Sequence, residues 1–159
     1  MNTNEALITR FYTAFSNFDA ETMAKCYHPS MEFQDPAFGN LKGKEVQDMW
    51  RMLILRSKGE LKIEFFDVTA NDKTGSANWI ATYNFSKTNR KVVNIIHAEF
   101  EFEDGLIRKH KDAFNVWKWT RQALGLPGYL LGWTPFLQKK IQQQSRELLT
   151  KYQEKYSNI

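Results

Sequence analysis

The sequence predicts an α+β domain whose helices cover one face of an antiparallel sheet. Three observations predict it. Apolar residues at helical spacing occupy the first third of the chain, and strictly alternating runs occupy the middle. Between two of those runs stands Asp104-Gly105, the strongest short-range hairpin signal a sequence offers. A length of 159 residues suits one core.

Taken in order, Glu5 to Asn17 place Leu7, Ile8, Phe11, Tyr12 and Phe15 at helical spacing, with Asn4 as cap. Asp19 caps a short second helix through Met23, Cys26 and Tyr27, which His28-Pro29 ends. Met31 to Pro36 reads as a short strand, and Ala37 to Gly43 as a loop. The third helix runs from Lys44 to Ser57, with Val46, Met49, Trp50, Leu53 and Ile54 inward. Leu61, Ile63 and Phe65 alternate, Asn71 to Gly75 form a loop, and Ala77, Trp79, Ala81, Tyr83 and Phe85 alternate again. A hairpin at Lys87 to Arg90 completes a four-stranded meander ending at Trp117.

Counting outward from Asp104-Gly105 pairs Glu103 with Leu106, Glu101 with Arg108, Glu99 with His110 and His97 with Asp112. Ile95 then meets Phe114 and Val93 meets Val116 on the same face. That face is apolar at its deep end and carries a His and an Asp in the middle, so the hairpin is read as a pocket floor.

Beyond Trp117 the pattern turns helical. Trp117 to Leu124 form a turn or two, broken by Gly125 to Gly128, and an apolar patch follows from Tyr129 to Trp133. Thr134-Pro135 start a last helix with Leu137, Ile141, Leu148 and Tyr152 on one stripe. The patch is expected to pack on the domain or on a dimer mate. Membrane contact by the basic C-terminal helix is not expected, because its lysines alternate with glutamates and glutamines.

The net charge is +4, and residues from Lys139 onward hold five of the cations, so the body has no groove-sized basic patch. Nucleic acid is not an expected partner. Met1 to Glu5 do not open a signal peptide and no run reaches the length of a membrane span, so a cytoplasmic protein is expected. The single cysteine, Cys26, fits a reducing compartment and reads as a core residue.

Helices, then Phe33-Gln34-Asp35-Pro36, then a meander closing on Gly105 to Asp112 resemble the SnoaL-like branch of the nuclear transport factor 2-like superfamily. The likeness covers Glu5 to Trp117. It implies a SnoaL-like cone-shaped, curved antiparallel sheet closed by N-terminal helices (a cystatin-like roll) over residues 1–117. A C-terminal helical extension, 118–159, would pack on it. That superfamily includes ketosteroid isomerases and polyketide cyclases. Asp35 matches the isomerases' general base, and Asp112 the acid/base aspartate of the cyclases. Tyr12, on the first helix, lies near where the isomerases place an oxyanion tyrosine. His97 falls near a protonated aspartate of the isomerases, and a histidine there departs from their pattern.

The expected site therefore has Asp112 and Asp35 moving protons, His97 orienting and Tyr12 donating to an oxyanion. His110, Trp50, Trp79, Tyr83 and Phe114 would line a pocket for a small apolar or polycyclic ligand. Cofactor-free isomerisation, cyclisation or hydration would follow, without a metal. A non-catalytic ligand-binding or dimerisation module is the rival expectation, and a homodimer is expected in either case.

Overall fold

The computed structural model describes residues 2 to 156. Helix α1 (Thr3–Ser16) is capped by Asn2, whose side chain accepts from the Glu5 N–H while the Glu5 carboxylate accepts from the Asn2 N–H. Asn4, the cap expected from sequence, instead donates to the carbonyl of Asn71 at 2.9 Å and so ties the helix start to a loop. Asp19 caps α2 (Ala20–Lys25) as expected, and Cys26 sits buried at that helix's end. Burial pushes the Cys26 thiol up to about 11, which suits packing rather than nucleophilic attack.

Strand β1 (Tyr27–Asp35) begins earlier than its sequence suggested, and β2 (Gly39–Lys42) forms where a loop was expected. The turn between them folds Leu41 back against Phe33 in antiparallel register. Helix α3 (Lys44–Ser57) has the expected bounds, and it ends at Lys58 in the left-handed conformation. Strands β3 (Lys62–Ala70), β4 (Thr74–Phe85), β5 (Arg90–Glu103) and β6 (Leu106–Ala113) follow. The curved six-stranded sheet has the order β2-β1-β6-β5-β4-β3. The expected meander is thus extended by β1, which joins β6 in parallel, and by β2. Helices α1 and α3 close the inner face over one core that includes Phe11, Phe15, Phe33, Trp50, Trp79 and Phe100.

The β5–β6 register corrects the sequence reading. Glu103 faces Leu106 and Phe102 faces Ile107, but then Glu101 faces Lys109. Arg108 is an extra residue on β6, a β-bulge, and everything beyond it slips by one. His110 therefore opposes Phe100, and Asp112 opposes Ala98. His97 meets Ala113 and lies on the exposed outer face with Val93, Ile95 and Glu99. The expected ion pairs shift with it: Glu101 takes Lys109 at 3.2 Å and Glu103 takes Arg108 at 3.2 Å.

Helix α4 (Val116–Leu124), capped by Asn115, lies against β5. After α5 (Leu126–Leu131) comes α6 (Pro135–Tyr156), which packs along α3 and buries Leu149. Arg146 on α6 donates to the carbonyls of Phe38, at 2.8 Å, and Asn40, at 3.1 Å. The apolar patch, however, does not pack on the domain. Tyr129, Leu130, Leu131 and Trp133 are all exposed, because the buried side of this segment is made by Gly128 and Gly132. Among the described residues, no helix is long and apolar enough to cross a membrane.

Candidate active site

The bulge at Arg108 carries His110 and Asp112 onto the helix-covered face, where they are 1% and 3% exposed. They form a chain of polar contacts inside an aromatic shell. The Trp50 indole N–H donates to the Tyr27 hydroxyl at 2.9 Å. Tyr27 lies 2.8 Å from His110 Nδ1, and His110 Nε2 lies 2.9 Å from Asp112 Oδ1. Trp79 donates to the same carboxylate oxygen at 3.3 Å. An indole nitrogen only donates, so the Tyr27 oxygen accepts there and its own proton is free to point at Nδ1. That leaves Nε2 carrying the proton toward Asp112 in neutral imidazole, a tautomer assigned from the network. The ring is held by Phe100 with centroids 4.6 Å apart, by Trp50 stacked at 6.1 Å, and by Phe33 edge-on at 5.1 Å.

Tyr12 closes this space from α1. Its ring stacks on Phe65 at 5.6 Å, and its hydroxyl is buried with no hydrogen-bond partner. Burial, reinforced by the charge of Asp112, pushes the phenol well above its ordinary value and keeps it a proton donor. Tyr27 is raised in the same way, by burial first and then by Asp112. Asp35 stands at the end of β1, where it accepts from the Phe38 N–H at 2.6 Å in a turn. Burial raises its carboxyl to about 7 against the Phe38 bond, and Asp112 adds to the rise. A carboxyl in that range both holds and releases a proton at neutral pH.

The profile of the SnoaL-like domain matches residues 8–110, more than half of the chain. The protein belongs to the SnoaL-like domain family. A candidate polyketide cyclase from Xanthomonas campestris pv. campestris is 18% identical, with a TM-score of 0.62, over 76% of this chain and 96% of its own. An LEH-like epoxide hydrolase of M. tuberculosis is also 18% identical, with a TM-score of 0.61, over 81% of this chain and 96% of its own. An NTF2-like protein of unknown function from Burkholderia pseudomallei is 14% identical, with a TM-score of 0.67, over 78% of this chain and 99% of its own. At these identities the likeness shows the fold. No protein of curated function matches the chain.

Within this SnoaL-like domain, Asp112, Tyr12, Trp50 and Trp79 come together as one buried cluster, and Asp35 stands close enough to sense Asp112. His97 does not join them. The slipped register turns it outward, where its Nδ1 lies 2.8 Å from the side-chain oxygen of Asn78. His110, not His97, stands against Asp112, and it does not pair with Glu99. Tyr83 is half-buried and accepts from the Trp119 indole at 2.7 Å, and Phe114 packs at the edge of the core. Sequence reasoning missed Tyr27, which it placed at a helix end rather than opening a strand.

A concavity of about 970 Å³ opens on the outer face, with Gln34, Lys42, His97, Glu99, Lys111 and, from the buried cluster, His110 in its lining. Among the described residues, His28, Glu103 and Asp104 bring ligand atoms within 4.8 Å of one another at the hairpin turn, a spacing a metal ion accepts. Both carboxylates are exposed, and Glu103 already pairs with Arg108.

Proposed function

We propose that the buried face of the SnoaL-like domain binds a small, largely apolar molecule carrying a carbonyl or similar oxygen and moves a proton on it. Asp112 transfers the proton, His110 orients Asp112, and Tyr12 donates to the oxygen on which negative charge develops. Asp35 serves as a second proton holder. Isomerisation or cyclisation fits this set, since both need only proton transfer and oxyanion stabilisation. The supporting observation is the Tyr12 hydroxyl, a buried donor with no partner beside Asp112. A group of this kind is costly to leave unpaired, and a ligand oxygen would satisfy it.

A second reading has an observation of its own. Tyr12, Tyr27, Trp50, His110 and Asp112 are between 0% and 3% exposed, as in a closed core, so the same contacts also suit a non-catalytic module. In either case we place the chain in the cytoplasm as a homodimer, with the exposed Val93 and Ile95 of the outer face as the paired surface.

The discriminating experiment is NMR titration of His110 against a panel of apolar ketones and lactones, with Asp112→Asn assayed beside the wild type. The catalytic reading expects ligand-dependent His110 shifts in both proteins and proton exchange on the ligand in the wild type alone. No ligand response in the wild type, with Asp112→Asn changing only the melting temperature, leaves the non-catalytic reading.

A further inference from the structure

Of the twelve large apolar side chains exposed among the described residues, seven lie between Trp117 and Phe136, and the construction of the α4–α5 hairpin makes that exposure fixed. Gly128 and Gly132 face α4 so closely that an added Cβ would sit 2.0 Å from the Thr120 carbonyl oxygen and 1.8 Å from its hydroxyl. Small residues thus make the inward side, one turn apart, and the large apolar residues have only the outward side left. Leu126 is 69% exposed, Trp133 64% and Phe136 74%, and Tyr129 and Leu130 stand beside them. The indole N–H of Trp133 is satisfied by the Leu130 carbonyl at 3.0 Å, and that of Trp117 by the Tyr129 carbonyl at 3.0 Å. Neither ring needs water or a polar partner.

Charge indicates what covers this patch. Between Asp112 and Glu147 the chain has no acidic residue, while Lys118, Arg121, Lys139, Lys140 and Arg146 all lie in that interval. Lys118, Lys139 and Lys140 are exposed. Arg121 stacks on the Trp117 ring at 4.3 Å, and Arg146 is held by backbone carbonyls. Indole, phenol and leucine side chains bounded by lysines match the layered chemistry of a bilayer surface, with acyl chains beneath anionic headgroups. The alternation of lysines with glutamates begins only at Glu147, beyond the patch. We infer that the α4–α5 hairpin and the start of α6 dock the protein on an anionic phospholipid surface.

The test is co-sedimentation of the full chain with phosphatidylcholine vesicles, with and without phosphatidylglycerol. Binding is expected to the anionic vesicles and to be released by added salt. Tryptophan emission should shift to the blue and be quenched by lipids brominated on their acyl chains, and Trp133→Phe should remove most of that quenching. Leu130→Glu with Trp133→Glu should lower the partition coefficient at least about tenfold. Lys139→Gln should lower it about fivefold on anionic vesicles and hardly at all on neutral ones. These side chains are exposed, so the melting temperature should hold. Two results overturn the inference: no binding to anionic vesicles at low salt, or patch variants that bind as the wild type does. A third is a dimer that Leu130→Glu dissolves in a protein that ignores vesicles, for then a second copy covers the patch.

Discussion

Tyr12, Asp35 and Asp112 separate the catalytic and structural accounts at the level of single groups. Because the Tyr12 hydroxyl has no partner, Tyr12→Phe removes an unpaired buried polar atom and leaves the ring packing intact. Its stability should hold or rise by about 1 kcal/mol in denaturant titration. Any turnover should fall by about 10²–10³, the usual loss for one oxyanion donor. A loss of stability in Tyr12→Phe would instead mean that the hydroxyl is bonded within the folded protein. Asp35 gives a pH signature. Its folded carboxyl titrates at about 7 against an ordinary value of 3.8, so the folded state binds the proton more tightly. The stabilisation is full below about pH 4 and is lost as pH rises toward 7, with a slope near 1.4 kcal/mol per pH unit at its steepest. Asp35→Asn keeps a side-chain oxygen for the Phe38 N–H and should flatten that slope. Denaturation midpoints of both proteins from pH 4 to 8 measure it, and parallel profiles would remove Asp35 from the proton-holding role.

The elements show where a glycine or a bulge decides what side chains can do. Gly128→Ala places a methyl carbon against the Thr120 carbonyl, a backbone atom that cannot swing aside. The expected result is a loosened α4–α5 hairpin, with faster amide exchange at Tyr129 to Gly132 and an overall loss of about 1–3 kcal/mol. Unchanged exchange would mean that the two helices already stand apart. The bounds of α3, the four-strand meander and the inward Asp112 were legible from spacing, whereas the second helix was drawn on through Tyr27 and α5 was read as a glycine break before an apolar patch. The β5 face was read the wrong way round, with His97 on the pocket side, although His97, Glu99 and Glu101 alternate with Ala98, Phe100 and Phe102 in a polar-out pattern. The doublets Val92-Val93 and Ile95-Ile96 fit either face, and they obscured it. The bulge at Arg108 was not legible, because an extra residue in a strand is set by what packs on the sheet rather than by the strand's own sequence. The parallel pairing of β1 with β6 joins residues far apart in the chain, which local periodicity does not report. Tyr27 was lost with it, and so was the bond that fixes the His110 tautomer.

At the scale of the whole molecule, the question is whether residues beyond Trp117 are an appendage or part of one folding unit. Leu149 of α6 is 3% exposed and belongs to the core cluster that holds Phe11, Trp50 and Phe100. On the same helix, Gln153 donates to Asp48 of α3 at 3.1 Å, and Arg146 bonds the carbonyls of Phe38 and Asn40. The helix therefore bridges α3 and the β1–β2 turn, and its stability is shared with the elements that hold Tyr27 and Asp35. Leu149→Ala should cost about 2–5 kcal/mol, the usual range for a buried leucine, and should shift one cooperative transition without splitting it. Far-ultraviolet circular dichroism follows the helices, and in a variant with Trp117, Trp119 and Trp133 replaced by phenylalanine the fluorescence follows Trp50 and Trp79, so urea titration by both probes tests this directly. Coincident curves mean that loss of α6 also loosens the buried face around Asp112. An early transition seen by circular dichroism alone would make α6 an appendage that melts by itself, and the site would then owe it nothing.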